Sequence, residues 1–495
     1  MSMAEWEARA GELELEWRAF IDGRFVAAQS GATFDCINPA NGRLLTKVAA
    51  CDAADAELAV EAARRAFTDR RWAGMAPKYR KQLLLRFAAL LREHQEELAL
   101  LETIDMGKPI GDAMNYDAPA AANCIAWNAE AIDKFYDQVA PVEEDALALV
   151  TREPIGVVAA IVPWNFPLVM ACWKLGPALA TGNSVILKPS EKSPLSALKL
   201  AALAKQAGIP NGVFNVLPGF GHTVGEALAM HKDVDCITFT GSTRVGKHLL
   251  ECAGKSNLKR TFMECGGKSP NIILSDAPDL DLAARVAASA IFYNQGEVCT
   301  AASRLLVQNN IKSAFVDRVL EYAYEWVCDN PIDPATRLGA MVDAAQMEQV
   351  LNYIEIGKQE GATLLLGGEQ VLRETGGYYI APTIFDDVHP NMRIYREEIF
   401  GPVLSITGFD TLEEAINLAN DSCYGLAAAV WTADLTRAVK ASRALRAGTV
   451  FVNNWDGGDM TMPFGGYKQS GNGRDKSIHA LEKYTELKST WIQLT

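Results

Sequence analysis

At 495 residues, with 49% hydrophobic and 22% charged side chains, the chain has the make-up of a globular protein of about three domains that needs no disulfide or metal staple to hold its core. Its net charge of -14, without any Lys/Arg cluster, argues against nucleic acid and against an anionic membrane surface as partners. Ten scattered cysteines without a Cys-x-x-Cys pair read as free thiols, and six histidines without a His-Glu-x-x-His pattern leave no metal site to expect.

The N-terminal stretch MSMAEWEARAGELELEWRAF is acidic and lacks the basic start and apolar run of a signal peptide. The chain before 135 reads as mostly helical, with helical patterns at 56–67 and 80–104. Residues 137–154 suit two antiparallel strands around a turn. From 155 onward, short apolar runs at 155–162, 184–188, 213–217, 236–240 and 260–264 alternate with helical patterns at 168–180, 194–208, 223–231 and 242–254. That alternation predicts a parallel sheet with helices on both faces, whose ligands bind at the carboxyl ends of the strands. The longest apolar stretch, PLVMACWKLGPALATG (167–182), lies within this series; Lys174 and Pro177 break it, and it is too short to span a bilayer. A cytoplasmic protein is the expectation.

A second series runs from 271–276 to 448–454, with strands at 304–308, 403–409 and 426–431 and helices at 311–327 and 411–420. It reads as a second α/β domain. The tail 483–495 alternates like one more strand. Strands that leave the domain bodies suit an oligomer-forming element.

The loops at the strand ends hold the residues that could do chemistry. PWNFP (163–167) fixes Asn165 between aromatics, either as a packed turn or as an amide donor for an oxyanion. KPSEKSP (188–194) offers Lys188 and Glu191, either as a helix start or as groups for the hydroxyls of a ribose. FTGSTRVGKHLL (239–250) has a Gly–four–Gly spacing but lacks the Ser/Thr of a Walker loop and is not Gly-x-Gly-x-x-Gly. What remains there is a helix N-terminus opened by Gly241 and Ser242, a site for a pyrophosphate. MECGGKSPN places Glu264 at a strand end as a candidate base, while strand alternation turns Cys265 into the core. In FYNQGEVCTAASR (292–304), the Asn-Gln-Gly turn before Cys299 and the small residues after it suit a thiol held on a loop between the two α/β domains.

PWNFP, KPSEKSP, FTGSTRVG, MECGGKSPN, NQGEVCTA, REEIFGPVL and PFGGYKQSGNGRD, in this order, resemble the NAD(P)-dependent aldehyde dehydrogenase superfamily over essentially the whole chain. The tail GNGRDKSIHALEKYTELKSTWIQL is similar to the bacterial γ-glutamyl-γ-aminobutyraldehyde and 4-guanidinobutyraldehyde dehydrogenases. The resemblance implies an α/β fold with a Rossmann-like NAD-binding domain (1–135 and 155–265), an α/β catalytic domain (266–470) and a small β oligomerisation element (136–154 and 478–495). It implies Cys299 as nucleophile, Glu264 as general base, and Asn165 with the Cys299 backbone N–H as oxyanion hole. Trp164, Lys188, Glu191, Gly241, Ser242, Gly246, Glu398 and Phe400 would contact the cofactor. That cofactor is expected to be NAD, with NADP as the alternative, and a homodimer or homotetramer is expected. Cys265, where relatives commonly have Leu or Ala, and Asp475, where many have Glu, depart from the pattern.

An intact Glu264 argues against a CoA-acylating dehydrogenase, and intact Cys299, Glu264 and Asn165 argue against a non-enzymatic relative. For the substrate, Phe166, Trp173, Tyr293, Trp455 and Phe464 are expected to form an aromatic tube, with Gly457 and Gly458 leaving its mouth open. Asp117 and Asp456 are expected either to give that mouth a negative potential or to be ordinary surface carboxylates. The lead is an ω-aminoaldehyde derivative such as γ-glutamyl-γ-aminobutyraldehyde. The alternative is an aryl aldehyde such as indole-3-acetaldehyde or phenylacetaldehyde.

Overall fold

Three of the five central strands of the first sheet, Val157–Ile161, Ser184–Lys188 and Cys236–Thr240, are short runs rich in β-branched residues and buried at every position. Such runs sit inside a parallel sheet covered on both faces. In the computed structural model, which describes residues 1–494, these strands build an eight-stranded sheet. Its order is Arg24–Val26, Ala19–Ile21, Phe214–Val216, Ser184–Lys188, Val157–Ile161, Cys236–Thr240, Arg260–Glu264 and Gly471–Asn472. The central five are parallel and the edge strands antiparallel. Strand order reverses between Val157–Ile161 and Cys236–Thr240, and a crevice at the carboxyl ends opens at such a reversal. The loops after Ile161 and after Thr240 are therefore the ones that face it.

The second sheet has seven strands, ordered Thr363–Leu366, Thr383–Asp386, Val403–Phe409, Arg304–Gln308, Pro270–Ile273, Ala427–Trp431 and Thr449–Val452. Only Thr363–Leu366 runs antiparallel to its neighbour. A third sheet pairs Thr485–Gln493 with Ala146–Pro154 along nine residues, and Gln138–Ala140 with the far side of Ala146–Pro154. The strands expected in 137–154 and 483–495 are these. No helix among the described residues is long and apolar enough to cross a membrane.

The chain before 135 is mostly helical, as expected, but it also holds four strands that the sequence reading missed. Ala19–Ile21 and Arg24–Val26 form a hairpin whose turn residues Asp22 and Gly23 both have positive φ, the two-residue turn that Asp-Gly favours. Thr33–Asn38 and Arg43–Ala49 form a second antiparallel pair. The pattern at 80–104 is two helices, Pro77–Glu93 and Gln95–Met106, parted at His94. The pattern at 223–231 opens as a π turn, with α-helix only over Glu226–Met230.

Candidate active site

Pro167 occupies the first turn of the helix Pro167–Ala180, where its missing N–H costs nothing, so the loop before it ends sharply and buries Asn165 in the crevice. The Asn165 amide donates to the Glu297 carbonyl at 2.7 Å. Asn294 ties the same two loops together, donating to the Asn165 carbonyl at 3.1 Å and to that of Glu297 at 3.3 Å. The helix Leu280–Phe292 ends there in three successive left-handed residues, Asn294, Gln295 and Gly296. That reversal carries Cys299 back to the crevice. Its carbonyl lies so close to Gly267 that a Cβ on Gly267 would approach it to 2.6 Å.

Eight of the ten cysteines are buried and Cys423 is on the surface, whereas Cys299 is partly exposed on the wall of a cavity of ≈ 490 Å³. Low-dielectric surroundings push its thiol up to about 12, and the carboxylates of Glu398, Glu264 and Asp456 push the same way. Phe166 and Tyr293 stack at 6.4 Å between ring centroids, Tyr116 meets both edge-on, and Trp173 meets Phe464 at 5.0 Å. Phe451 and Trp455 complete the aromatic lining, at 5.6 Å from each other. Three charged side chains share the wall: Asp112, Asp456 and Lys476. Enclosure raises the Asp112 carboxyl to about 7 and that of Asp456 to about 6.

On the other side of the crevice, Lys188 is buried and donates to Glu191 at 3.1 Å; burial lowers its pKa and Glu191 opposes that. Trp164 meets Phe400 edge-on at 5.2 Å. Ser242 caps the thirteen-residue helix Thr243–Lys255, accepting from the Val245 N–H at 3.3 Å. Gly246 lies against Cys265, whose sulfur would stand 2.9 Å from a Cβ at that position, and Cys265 packs in the core with Phe239 and Met263. Glu398 accepts from the Gly267 N–H at 3.0 Å, and burial raises its carboxyl to about 7. These residues fit a dinucleotide. The helix end is free for a pyrophosphate, the Lys188–Glu191 pair stands at the next strand end, and the buried Thr240 hydroxyl has no protein partner. No group of three or more His, Cys, Asp or Glu among the described residues could hold a metal.

Glu264 is buried with neither carboxylate oxygen hydrogen-bonded. It points to Gly465, where a Cβ would come within 2.8 Å of one oxygen. Burial raises its pKa well above the usual carboxylate range, Asp475 adds to the rise, and Lys174, Lys483 and Arg474 oppose it. Asp475, also buried, is ion-paired with both Lys174 and Lys483.

The sequence model of the Aldehyde dehydrogenase family matches residues 25–490. The chain belongs to the aldehyde dehydrogenase family. It is 54% identical over 492 residues, 99% of both chains, to the Escherichia coli NADP/NAD-dependent aldehyde dehydrogenase PuuC. It is 64% identical, with a TM-score of 0.99 over 100% of both chains, to an indole-3-acetaldehyde dehydrogenase solved with NAD+. It is 60% identical, with the same score and coverage, to a γ-glutamyl-γ-aminobutyraldehyde dehydrogenase from Burkholderia cenocepacia.

In this aldehyde dehydrogenase the aromatic side chains expected from the sequence do gather on one cavity with Cys299 and Asp456. Asp117 does not. It is fully buried and ion-paired with Lys108, whose ammonium also sits 4.1 Å from the Phe166 ring centroid. The acid on the cavity is instead Asp112, five residues earlier. A π turn over Ala113–Asp117 shifts which side chains face inward, and nothing in the composition of that stretch announces it. Tyr116, Phe451 and Lys476 were also not foreseen. Tyr116 sits in the same π turn; Phe451 could have been found as the inward position on a strand whose end carries Trp455.

Proposed function

We propose that this aldehyde dehydrogenase oxidises an ω-aminoaldehyde derivative to its carboxylic acid with NAD, γ-glutamyl-γ-aminobutyraldehyde being the lead substrate. The observation that carries the substrate reading is the cavity: aromatic rings fit a methylene chain, Cys299 stands on its wall, and Asp112 and Asp456 offer negative charge to an amino end. The name of the 60% identical structure from Burkholderia cenocepacia supports it.

In this reading Glu264 takes the Cys299 thiol proton through water and releases it to solvent, the thiolate attacks the carbonyl carbon, and the carbonyl oxygen becomes an oxyanion. Asn165 spends one amide proton on Glu297 and has a second for that oxygen, beside the Cys299 backbone N–H. NAD, when bound, supplies the hydride acceptor. Loss of hydride leaves a thioester on Cys299. Glu264 swings from Gly465 toward the thioester and takes a proton from water; the water oxygen bonds to carbon, the C–S bond breaks, and Cys299 leaves as thiolate. Trp164, Lys188, Glu191, Gly241, Ser242, Gly246, Glu398 and Phe400 hold the cofactor, with NADP as a second choice.

The same reading assigns 1–135 and 155–265 to NAD binding, 266–470 to catalysis, and 136–154 with 478–495 to a homodimer or homotetramer contact, in the cytoplasm. Leu487, Trp491 and Val139, exposed on the third sheet, support that contact.

A second reading, an aryl aldehyde such as indole-3-acetaldehyde, is favoured by the same aromatic lining. The test compares kcat/KM for γ-glutamyl-γ-aminobutyraldehyde, 4-aminobutanal, hexanal and indole-3-acetaldehyde, and repeats it with Asp456→Asn. An amine-bearing aldehyde should rank first, and the variant should lower its lead over hexanal. If hexanal or the indole aldehyde ranks first and Asp456→Asn alters no ratio, the aminoaldehyde reading fails.

A further inference from the structure

Two charge clusters beside the cavity are turned into the protein and paired: Asp117 with Lys108, and Asp475 with Lys174 and Lys483. The three on the cavity wall, Asp112, Asp456 and Lys476, have no ion-pair partner among the described residues. Charges of both signs left without an ion pair on the wall of one aromatic cavity suit a ligand that carries both signs.

Lys476 is the cation of the three. Its backbone, like that of Asp456, is left-handed, at φ 59, a conformation that costs a residue with a side chain and persists only where its surroundings impose it. Here they do. Asp475 exchanges two backbone hydrogen bonds with Phe464, each of 2.7 Å, and the Ser477 N–H donates to the Met460 carbonyl at 2.8 Å. With the Asp475 side chain drawn to Lys174 and Lys483, that of Lys476 goes to the cavity, its ammonium 5.8 Å from the Trp173 ring centroid. Burial lowers its pKa, opposed by Asp459, Cys124 and Asp456.

An aldehyde with only an ammonium at its far end would gain from Asp112 and Asp456 and lose to Lys476. An aldehyde ending in an α-amino acid meets all three. We propose that Lys476 is a specificity-determining residue that binds the carboxylate of an aldehyde ending in an α-amino acid, while Asp112 and Asp456 receive its ammonium. This rests on the aminoaldehyde reading above and narrows it to zwitterionic substrates.

The experiment measures kcat/KM of the wild type, Lys476→Met and Lys476→Arg with γ-glutamyl-γ-aminobutyraldehyde, 4-aminobutanal and hexanal. A lost charge-assisted hydrogen bond predicts that Lys476→Met lowers the γ-glutamyl-to-hexanal ratio about tenfold or more, mainly through KM. The 4-aminobutanal-to-hexanal ratio should hold or rise, because a repulsive charge is gone. Lys476→Arg should keep most of the γ-glutamyl preference. A γ-glutamyl-to-hexanal ratio within twofold of wild type in Lys476→Met overturns the proposal, as does an equal fall for 4-aminobutanal. The wild-type ranking separately judges the aminoaldehyde reading: if hexanal leads in the wild type, that reading falls, whatever the variants do.

Discussion

Replacing Asp475 by Asn removes one negative charge and almost no volume from the cluster behind Glu264. The Asp475 carboxylate receives Lys174 on one oxygen and Lys483 on the other, all three side chains being buried. An Asn carbonyl can still accept a hydrogen bond from one ammonium, but the other is left without a counter-charge. Breaking a buried pair in this way costs about 3–5 kcal/mol. At about 2–4 °C per kcal/mol for a domain of 150–250 residues, the thermal midpoint should fall on the order of 10 °C. Replacing the whole cluster, with Lys174→Met, Asp475→Leu and Lys483→Met together, should cost less than the single change, because no ammonium is left without its counter-charge.

The same substitution acts on Glu264. Burial raises the Glu264 pKa first and Asp475 adds to it, so Asp475→Asn removes a raising charge and leaves both ammoniums to lower it. A base works when deprotonated, so the acid limb of the kcat profile should move to lower pH. Asp475 itself is held low by Lys174 and Lys483 against burial, which alone would raise it. Its contribution to stability is therefore complete above the unfolded aspartate value of about 3.9 and is lost only as pH falls through the folded pKa. The wild-type-minus-variant gap should be flat from about pH 5 to 8 and close in stronger acid. Calorimetry and a kcat series from about pH 5 to 9 measure both. An unchanged midpoint together with an unmoved acid limb would refute the reasoning.

Cys299→Ala should abolish NADH formation while NAD still binds by fluorescence titration; substantial turnover would remove Cys299 from the role of nucleophile. Glu264→Gln should give a stoichiometric burst of NADH and then slow turnover, and a slowed first step without a burst would count against a role in deacylation. Glu191→Gln should narrow the preference for NAD over NADP in kcat/KM, since a carboxylate near the ribose 2′ position repels a phosphate; an unchanged ratio would place Glu191 away from that hydroxyl.

Much of the first sheet was legible because its strands are short segments, several of them apolar runs, set between helical patterns. Those at 184–188, 236–240 and 260–264 coincide with the observed elements, as do 304–308 and 403–409 in the second sheet. Ala19–Ile21 and Arg24–Val26 were missed because each is only three residues long; the Asp22-Gly23 turn was the available signal. The site's loops were visible at strand ends, but their fine placement was not. Asn294 and Gln295 adopt left-handed backbone without being glycine, which tertiary packing imposes and composition conceals. Asp112 replaced Asp117 on the cavity because of a π turn. The charges around Glu264 come from Lys174, Asp475 and Lys483, and no local pattern joins residues so far apart.

The pairing of Thr485–Gln493 with Ala146–Pro154 links stretches more than three hundred residues apart in the chain, and Lys483, just ahead of that strand, closes the charge cluster behind Glu264. During synthesis, residues 146–154 emerge more than three hundred residues before their partner, with one edge uncovered until it follows. A truncated chain would then betray itself twice, by an open strand edge that chaperones and proteases can read and by an incomplete set of charges around Glu264. One stretch, residues 483–493, thus completes both the third sheet and the charge set behind Glu264.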